Sequence, residues 1–192
     1  MSGVEQLVVS DLACVRGSRT VFEGVSFALA GGGALQVEGA NGTGKSSLLR
    51  ILAGLLVAAA GTVANPFGVA WLGADATLKP GMRLRTELLH WARLDQRPAV
   101  AVDAALAAFD LTALGDLPVD VLSSGQRRRA ALARVHASGV ALWLLDEPAV
   151  GLDTASVDRL ATAIARHRNG GGAVIVATHG DIGLAAPQRL RL

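Results

Sequence analysis

Eight consecutive residues, Gly39-Ala40-Asn41-Gly42-Thr43-Gly44-Lys45-Ser46, follow the pattern G-x-x-x-x-G-K-[ST], and their types suggest one use. Glycines leave room for backbone N–H groups to curl around an anion, and a helix starting just after them adds its positive end. Lys45 supplies a mobile ammonium for β- and γ-phosphates and Ser46 a hydroxyl for Mg²⁺. Farther on, Asp146-Glu147 ends the apolar run Val140–Leu145. At the C-terminal end of a buried strand, where ligands of open α/β sheets gather, Asp146 would hold Mg²⁺ through water. Glu147 beside it would orient and polarise an attacking water. His179 ends a later apolar run, Ala173–Thr178, from which it could reach a γ-phosphate. Together these groups suit phosphoryl transfer from a nucleoside triphosphate to water.

A second anion-binding set lies twenty residues before Asp146, in Leu122-Ser123-Ser124-Gly125-Gln126. A loop becomes a helix there, so Ser123 and the amides near Gly125 can present donors to an anion. The phosphate loop already has its own lysine and helix, so this set is best used on another subunit's nucleotide. Arg127, Arg128 and Arg129 read as a solvated helix face rather than a nucleic-acid patch. His90, His136 and His167 read as surface or packing residues, and the single thiol, Cys14, as packing beside a strand.

These groups need elements to hold them. Thr20–Phe22 and Val25–Leu29 carry β-branched and aromatic residues and read as strands, stopped by Gly31-Gly32-Gly33. Ala34–Glu38 is a short strand feeding the phosphate loop, and Lys45–Leu56 repeats apolar residues at helical spacing. Gly61–Ala64 and Val69–Leu72 read as strands around the turn Asn65-Pro66. From Asp75 to Gly115 the chain reads as a helical insertion, with helices over Leu84–Leu94 and Ala99–Phe109. Leu117–Ser124 is expected as a connecting loop, Arg127–Ser138 as a helix and Val140–Asp146 as a buried strand. A helix over Thr154–Arg168 and the strand Ala173–Thr178 follow. Strands alternating with helices imply a parallel sheet covered on both faces.

Composition excludes several classes. At 192 residues the chain can build one substantial core with a small subdomain, not two full domains. Its 51% apolar and 18% charged residues exclude a disordered chain. A net charge of +2 without a clustered basic stripe gives no case for nucleic acid. One cysteine cannot form an internal disulfide, which fits a reducing cytoplasm. No basic segment and apolar core mark a secretory signal, and the longest apolar run, Ile51–Ala60, is about half the ~20 residues that cross a bilayer. The expectation is a soluble protein that meets a membrane only through a partner.

In this order the phosphate loop, the signature Leu122–Gln126, Asp146-Glu147 and His179 resemble the ATP-binding-cassette (ABC) ATPases, over nearly the whole chain. Within them the sequence looks most like the small ATP-binding subunit of bacterial haem export for cytochrome c maturation. Four stretches carry this narrower likeness: Cys14-x-Arg16-Gly17-x-Arg19-x-x-Phe22, Gln36–Gly42, Trp71-Leu72-Gly73 with Leu78-Lys79, and Ala141–Pro148.

The resemblance implies an α/β fold of the P-loop NTPase, ABC ATPase type. Its parallel core sheet would carry an antiparallel N-terminal β-subdomain and a small helical subdomain. Residues 1–192 would form one domain. Within it, residues 1–74 would hold the N-terminal strands and the phosphate loop, 75–138 the helical subdomain with the signature, and 139–192 the core sheet. By the same resemblance Gly39, Ala40, Asn41, Gly42, Thr43, Gly44, Lys45, Ser46, Ser47 and Asp146 bind nucleotide, with Ser46 and Asp146 on Mg²⁺. Glu147 and His179 would be catalytic, and Ser123, Gly125 and Gln126 would act across a homodimer with ATP sandwiched in it. Gly151-Leu152-Asp153 matches the end of the loop linking the two sites.

Three positions depart from the family pattern. Asp75 stands near the place of the Q-loop glutamine, still an oxygen ligand that Mg²⁺ accepts. Arg16 holds the place of the aromatic residue on adenine, where a guanidinium plane can stack. Ser124 stands where glycine is commoner. ATP and Mg²⁺ are the implied cofactors and integral membrane subunits the implied partners, with no nucleic acid and no direct haem binding. The implied location is peripheral, on the cytoplasmic face of the bacterial inner membrane. Two other readings remain: the ATPase of another exporter, for a drug, peptide or lipid, and a nucleotide-gated module with weak hydrolysis.

Overall fold

The computed structural model describes residues 5–75 and 78–192, so residues 1–4 and 76–77 of the expected segments lie outside the described residues. Two long strands lead, β1 (Gln6–Arg16) and β2 (Arg19–Ala30), followed by β3 (Ala34–Glu38) and the helix α1 (Lys45–Leu52). The two strands expected around Thr20–Leu29 are one, because register shifts along β1 absorb Gly24 without breaking the ladder. Helix α1 stops four residues before the expected end. Gly54 takes φ +71°, and the N–H groups of Leu55 and Gly54 turn back onto the carbonyls of Arg50 and Ile51, closing a Schellman motif.

Next come β4 (Ala60–Ala64), β5 (Val69–Leu72), α2 (Leu84–Leu94), α3 (Ala99–Ala108) and α4 (Ser124–Ser138). Helix α4 begins three residues earlier than expected because Ser123 and Gln126 form a capping box. Ser123 Oγ accepts from the Gln126 N–H at 3.2 Å, and Gln126 Oε1 accepts from the Ser123 N–H at 2.8 Å. The chain closes with β6 (Leu142–Asp146), α5 (Thr154–Asn169), β7 (Ala173–Ala177) and β8 (Gln188–Arg191). Strand β8 was not expected, since Gln-Arg-Leu-Arg has no buried face. It lies at a sheet edge, pairs with β3, and Arg189 meets Glu38 at 2.6 Å.

Strands β2, β1 and β4 form an antiparallel sheet, and β5-β6-β7-β3-β8 form a parallel one, as the resemblance implied. Alternation along β6 and β7 divides the core. Leu142, Leu144, Ala173, Ile175 and Ala177 pack toward α1 and the antiparallel sheet, while Trp143, Leu145, Val174 and Val176 pack toward the helices. Among the described residues no helix is long and apolar enough to cross a membrane.

On the helical side the His167 ring stacks on Trp143 at 4.0 Å, and its Nε2 lies 3.1 and 3.2 Å from the carbonyls of Ala141 and Ala173. Burial pushes His167 below the ordinary imidazole value of 6.5, with those carbonyls pulling partly back. His136 is lowered by burial and by Arg166. The unfolded chain therefore takes up these protons first, so the stabilisation is complete above about pH 6.5 and is lost as pH falls through the lowered folded values. Thermal melting should come lower at about pH 5 than at about pH 8, and His167→Gln should shrink the gap. An equal gap in parent and variant would exclude this role for His167.

Candidate nucleotide site

Three adjacent parallel strands end together. Asp146 of β6 and Val37 of β3 pair with Ala177 of β7 from opposite sides, so Gly39, Glu147 and His179 leave the sheet in one row. This is where open α/β sheets place their ligands.

The phosphate loop leaves β3 through Gly39 at φ 149° and enters α1 through Gly44 at φ 108°. A Cβ on Gly44 would stand 2.5 Å from Val21 Cγ1 and 2.9 Å from Phe22 Cδ1, so strand β2 and the backbone angle both demand glycine. Lys45 is 6% exposed, and its ammonium donates to the Gly39 carbonyl at 2.7 Å and the Ala40 carbonyl at 3.0 Å. That holds the charge over the loop, where phosphate oxygens are stronger acceptors than neutral carbonyls.

His179 Nε2 is a point of convergence: Asn41 Oδ1 lies 2.7 Å away, Lys45 Nζ 3.1 Å and Glu147 Oε1 3.3 Å. Protonated, Nε2 donates to Asn41 or Glu147; unprotonated, it accepts from Lys45. Glu147 takes φ +46°, a strained value for a side chain of its size. Its N–H donates to the Ala177 carbonyl at 2.8 Å, and its own carbonyl accepts from the Val150 N–H at 3.2 Å and from Arg128. Asp146 is 1% exposed, and its Oδ2 has no hydrogen-bond partner among the described residues, an unmet acceptor at the site's floor.

A cavity of about 310 Å³ joins Arg16, Val21, Asn41, Gly42, Gly44, Lys45, Ser46, Ser47, Asp146 and Glu147. The larger neighbouring hollow, about 900 Å³, takes in Gly39, Ala40 and His179 but neither Lys45 nor Asp146, so the smaller one is the candidate phosphate cavity. Thr43 turns inward on the loop, its hydroxyl donating to the Ala40 carbonyl at 3.0 Å.

The second anion-binding set lies apart. Ser123 is exposed at the start of α4, and its hydroxyl proton remains available for donation because its oxygen is the acceptor in the capping box. Gly125 packs so close to Gly151 that a Cβ would lie 3.1 Å from the Gly151 carbonyl. Asp75 lines another hollow, with Ser124, Arg127, Arg128, Val150 and Gly151. None of Ser123, Gly125, Gln126 or Asp75 lines the phosphate cavity of its own chain.

One expectation is overturned. Arg127, Arg128 and Arg129 do not form a solvated face: Arg128 is 4% exposed, and Arg129 donates to the Phe109 carbonyl at 2.9 Å. Burial pushes the Arg128 guanidinium below its usual range, countered by Asp146, Glu147 and Asp75. The sequence did contain a signal. Arg128 stands at helical spacing with Ala131, Leu132 and Val135, all buried, so it belongs to the inward stripe.

The ABC transporter family model matches residues 22–150. The chain is 51% identical to a cytochrome c biogenesis ATP-binding export protein of Sphingopyxis alaskensis, over 90% of this chain and 89% of the relative. The protein of that name in Gluconobacter oxydans is 50% identical, over 90% of this chain and 81% of its own. A solved Pyrococcus furiosus structure, assigned to the ABC transporters as an ATP-binding protein, superposes with TM-score 0.85. It covers 98% of both chains at 22% identity, a likeness of fold alone. With the phosphate loop, the Asp146-Glu147 turn and His179 gathered at the C-terminal ends of three neighbouring strands, the chain belongs to the ABC transporter family, as an ATPase of the cytochrome c biogenesis ATP-binding export type.

Proposed function

We propose that this ATPase drives haem export, or release of haem from its chaperone, for cytochrome c assembly. It would act as a peripheral subunit on the cytoplasmic face of the bacterial inner membrane. The observation that carries the catalytic role is the convergence of Asn41, Lys45 and Glu147 on His179 Nε2. A γ-phosphate entering this cluster would draw Lys45 off the loop carbonyls and meet His179. Glu147 would orient a water in line with the γ-phosphorus. The water's oxygen bonds to phosphorus as the bond to the ADP oxygen breaks, and its proton passes through Glu147 to the phosphate released.

Mg²⁺ suits the residues present: the unmet buried acceptor of Asp146 and the Ser46 hydroxyl are oxygen donors beside the phosphates. Bound there, it would neutralise developing charge on the β- and γ-phosphate oxygens. Asp75 is the remaining candidate oxygen ligand, reached from its neighbouring hollow. Arg16, at the cavity rim, would stack on adenine. Ser123, Gly125 and Gln126, which do not line the phosphate cavity of their own chain, would meet the ATP of a second copy in a sandwiched homodimer.

Integral membrane subunits would dock on the helical segment 75–138 and the adjoining loop. Apolar side chains left exposed there support this: Trp91 and Leu94 on α2, and Leu55 and Val57 after α1. The tagged chain pulled from membranes should bring integral membrane subunits of cytochrome c assembly with it. Recovery of a drug, peptide or lipid exporter instead would sink the haem reading and leave the ATPase assignment standing.

A further inference from the structure

Helix α4 carries Ser123 and Gly125 at its start, and one turn later it sends Arg128 inward. The guanidinium has five N–H donors in a rigid planar fork, and among the described residues all of its hydrogen bonds go to main-chain carbonyls. Nε donates to Pro148 at 3.2 Å, and Nη1 to Gly73 at 2.8 Å and Ala74 at 3.0 Å. Nη2 donates to Asp146 at 2.6 Å and to Glu147. The five carbonyls come from two chain segments, one leaving β5 and the other leaving β6. Their converging dipoles need a charge with several fixed directions. A lysine offers three donors from one point and a glutamine two.

The grip has a particular consequence at Glu147. Rotation about its two backbone bonds is set by the peptide planes on either side, and Arg128 holds the carbonyl of each, Asp146 O before and Glu147 O after. The φ of +46° persists only where surroundings over-determine it, and this clamp does so. With both planes held, the Glu147 carboxylate is aimed toward His179, 3.3 Å away.

We propose that Arg128 is a positioning residue for ATP hydrolysis: it fixes the backbone of Glu147, and thereby ties the aim of the base to helix α4 and to the chain leaving β5. The proposal rests on the reading of Glu147 as the base. A shift of α4, whose N-terminus faces a neighbour's nucleotide, would then move the base through one side chain.

The test uses Arg128→Lys and Arg128→Gln in the membrane complex recovered with the tagged chain, measuring MgATP hydrolysis, ATP affinity and melting temperature. Misplacing a reacting group by about 1 Å can cost ~10²-fold, so kcat should fall roughly ten- to hundredfold with ATP affinity within about twofold. In a Glu147→Gln background the same changes should lower residual turnover no further. The proposal is overturned by a kcat within about twofold of the parent, by equal losses of kcat and affinity, or by an undiminished effect in that background. If the glutamine variant fails to fold, the lysine variant decides. Loss of fold in both would show a residue that holds the domain rather than the base. Parental turnover in Glu147→Gln alone would instead remove the base assignment on which the proposal rests.

Discussion

Glu147→Gln should leave ATP binding intact and lower turnover by about 10²- to 10⁴-fold, the usual worth of a positioned proton acceptor. The amide has nearly the carboxylate's shape, so it can keep the place beside His179 Nε2, and the backbone bonds to Ala177 and Arg128 are untouched. What would disappear is the negative charge proposed to polarise water. Phosphate release in steady state, set against equilibrium ATP binding, separates the two effects. Hydrolysis at the parental rate would show that another group handles the water.

Lys45→Ala should act on binding. Hydrogen bonds to a charged partner contribute about 1.5–3 kcal/mol, so losing the ammonium should weaken ATP affinity by about one to two orders of magnitude. The loop loosens as well, because Lys45 Nζ also caps the carbonyls of Gly39 and Ala40. Calorimetric titration with ATP checks this, and unchanged affinity would sink the phosphate-loop reading. The two variants differ in kind, since one removes an interaction with substrate charge already present and the other a function of the reacting water. A chain that behaved alike in both would not be using Lys45 to bind and Glu147 to activate water.

Much of the site was legible as local pattern. The glycines and Lys45 had to be read as one loop, since only that spacing presents backbone donors and an ammonium to the same phosphates. The strands ending at Asp146 and before His179 were legible because a strand buried on both faces is a continuous apolar run. Boundaries were less so, because they depend on caps. Gly54 stopped α1 and the Ser123–Gln126 box started α4, each through hydrogen bonds that hydrophobic spacing does not encode. Strand β8 was invisible because an edge strand can be polar on both faces and still pair through its backbone.

Residue types and their spacing were enough to specify the chemical groups, their local loops and the family they belong to, because each depends on a few neighbours along the chain. Which of those groups meet was settled by the packing of distant segments. Strand order set β6, β7 and β3 side by side, so that Asn41, Lys45, Glu147 and His179 share one point although His179 is more than a hundred residues from the loop. The same packing turned Arg128 from a surface charge into the clamp on the Glu147 backbone. Its partners are carbonyls, which every residue carries, and no sequence can mark a carbonyl as special before the fold brings five of them together.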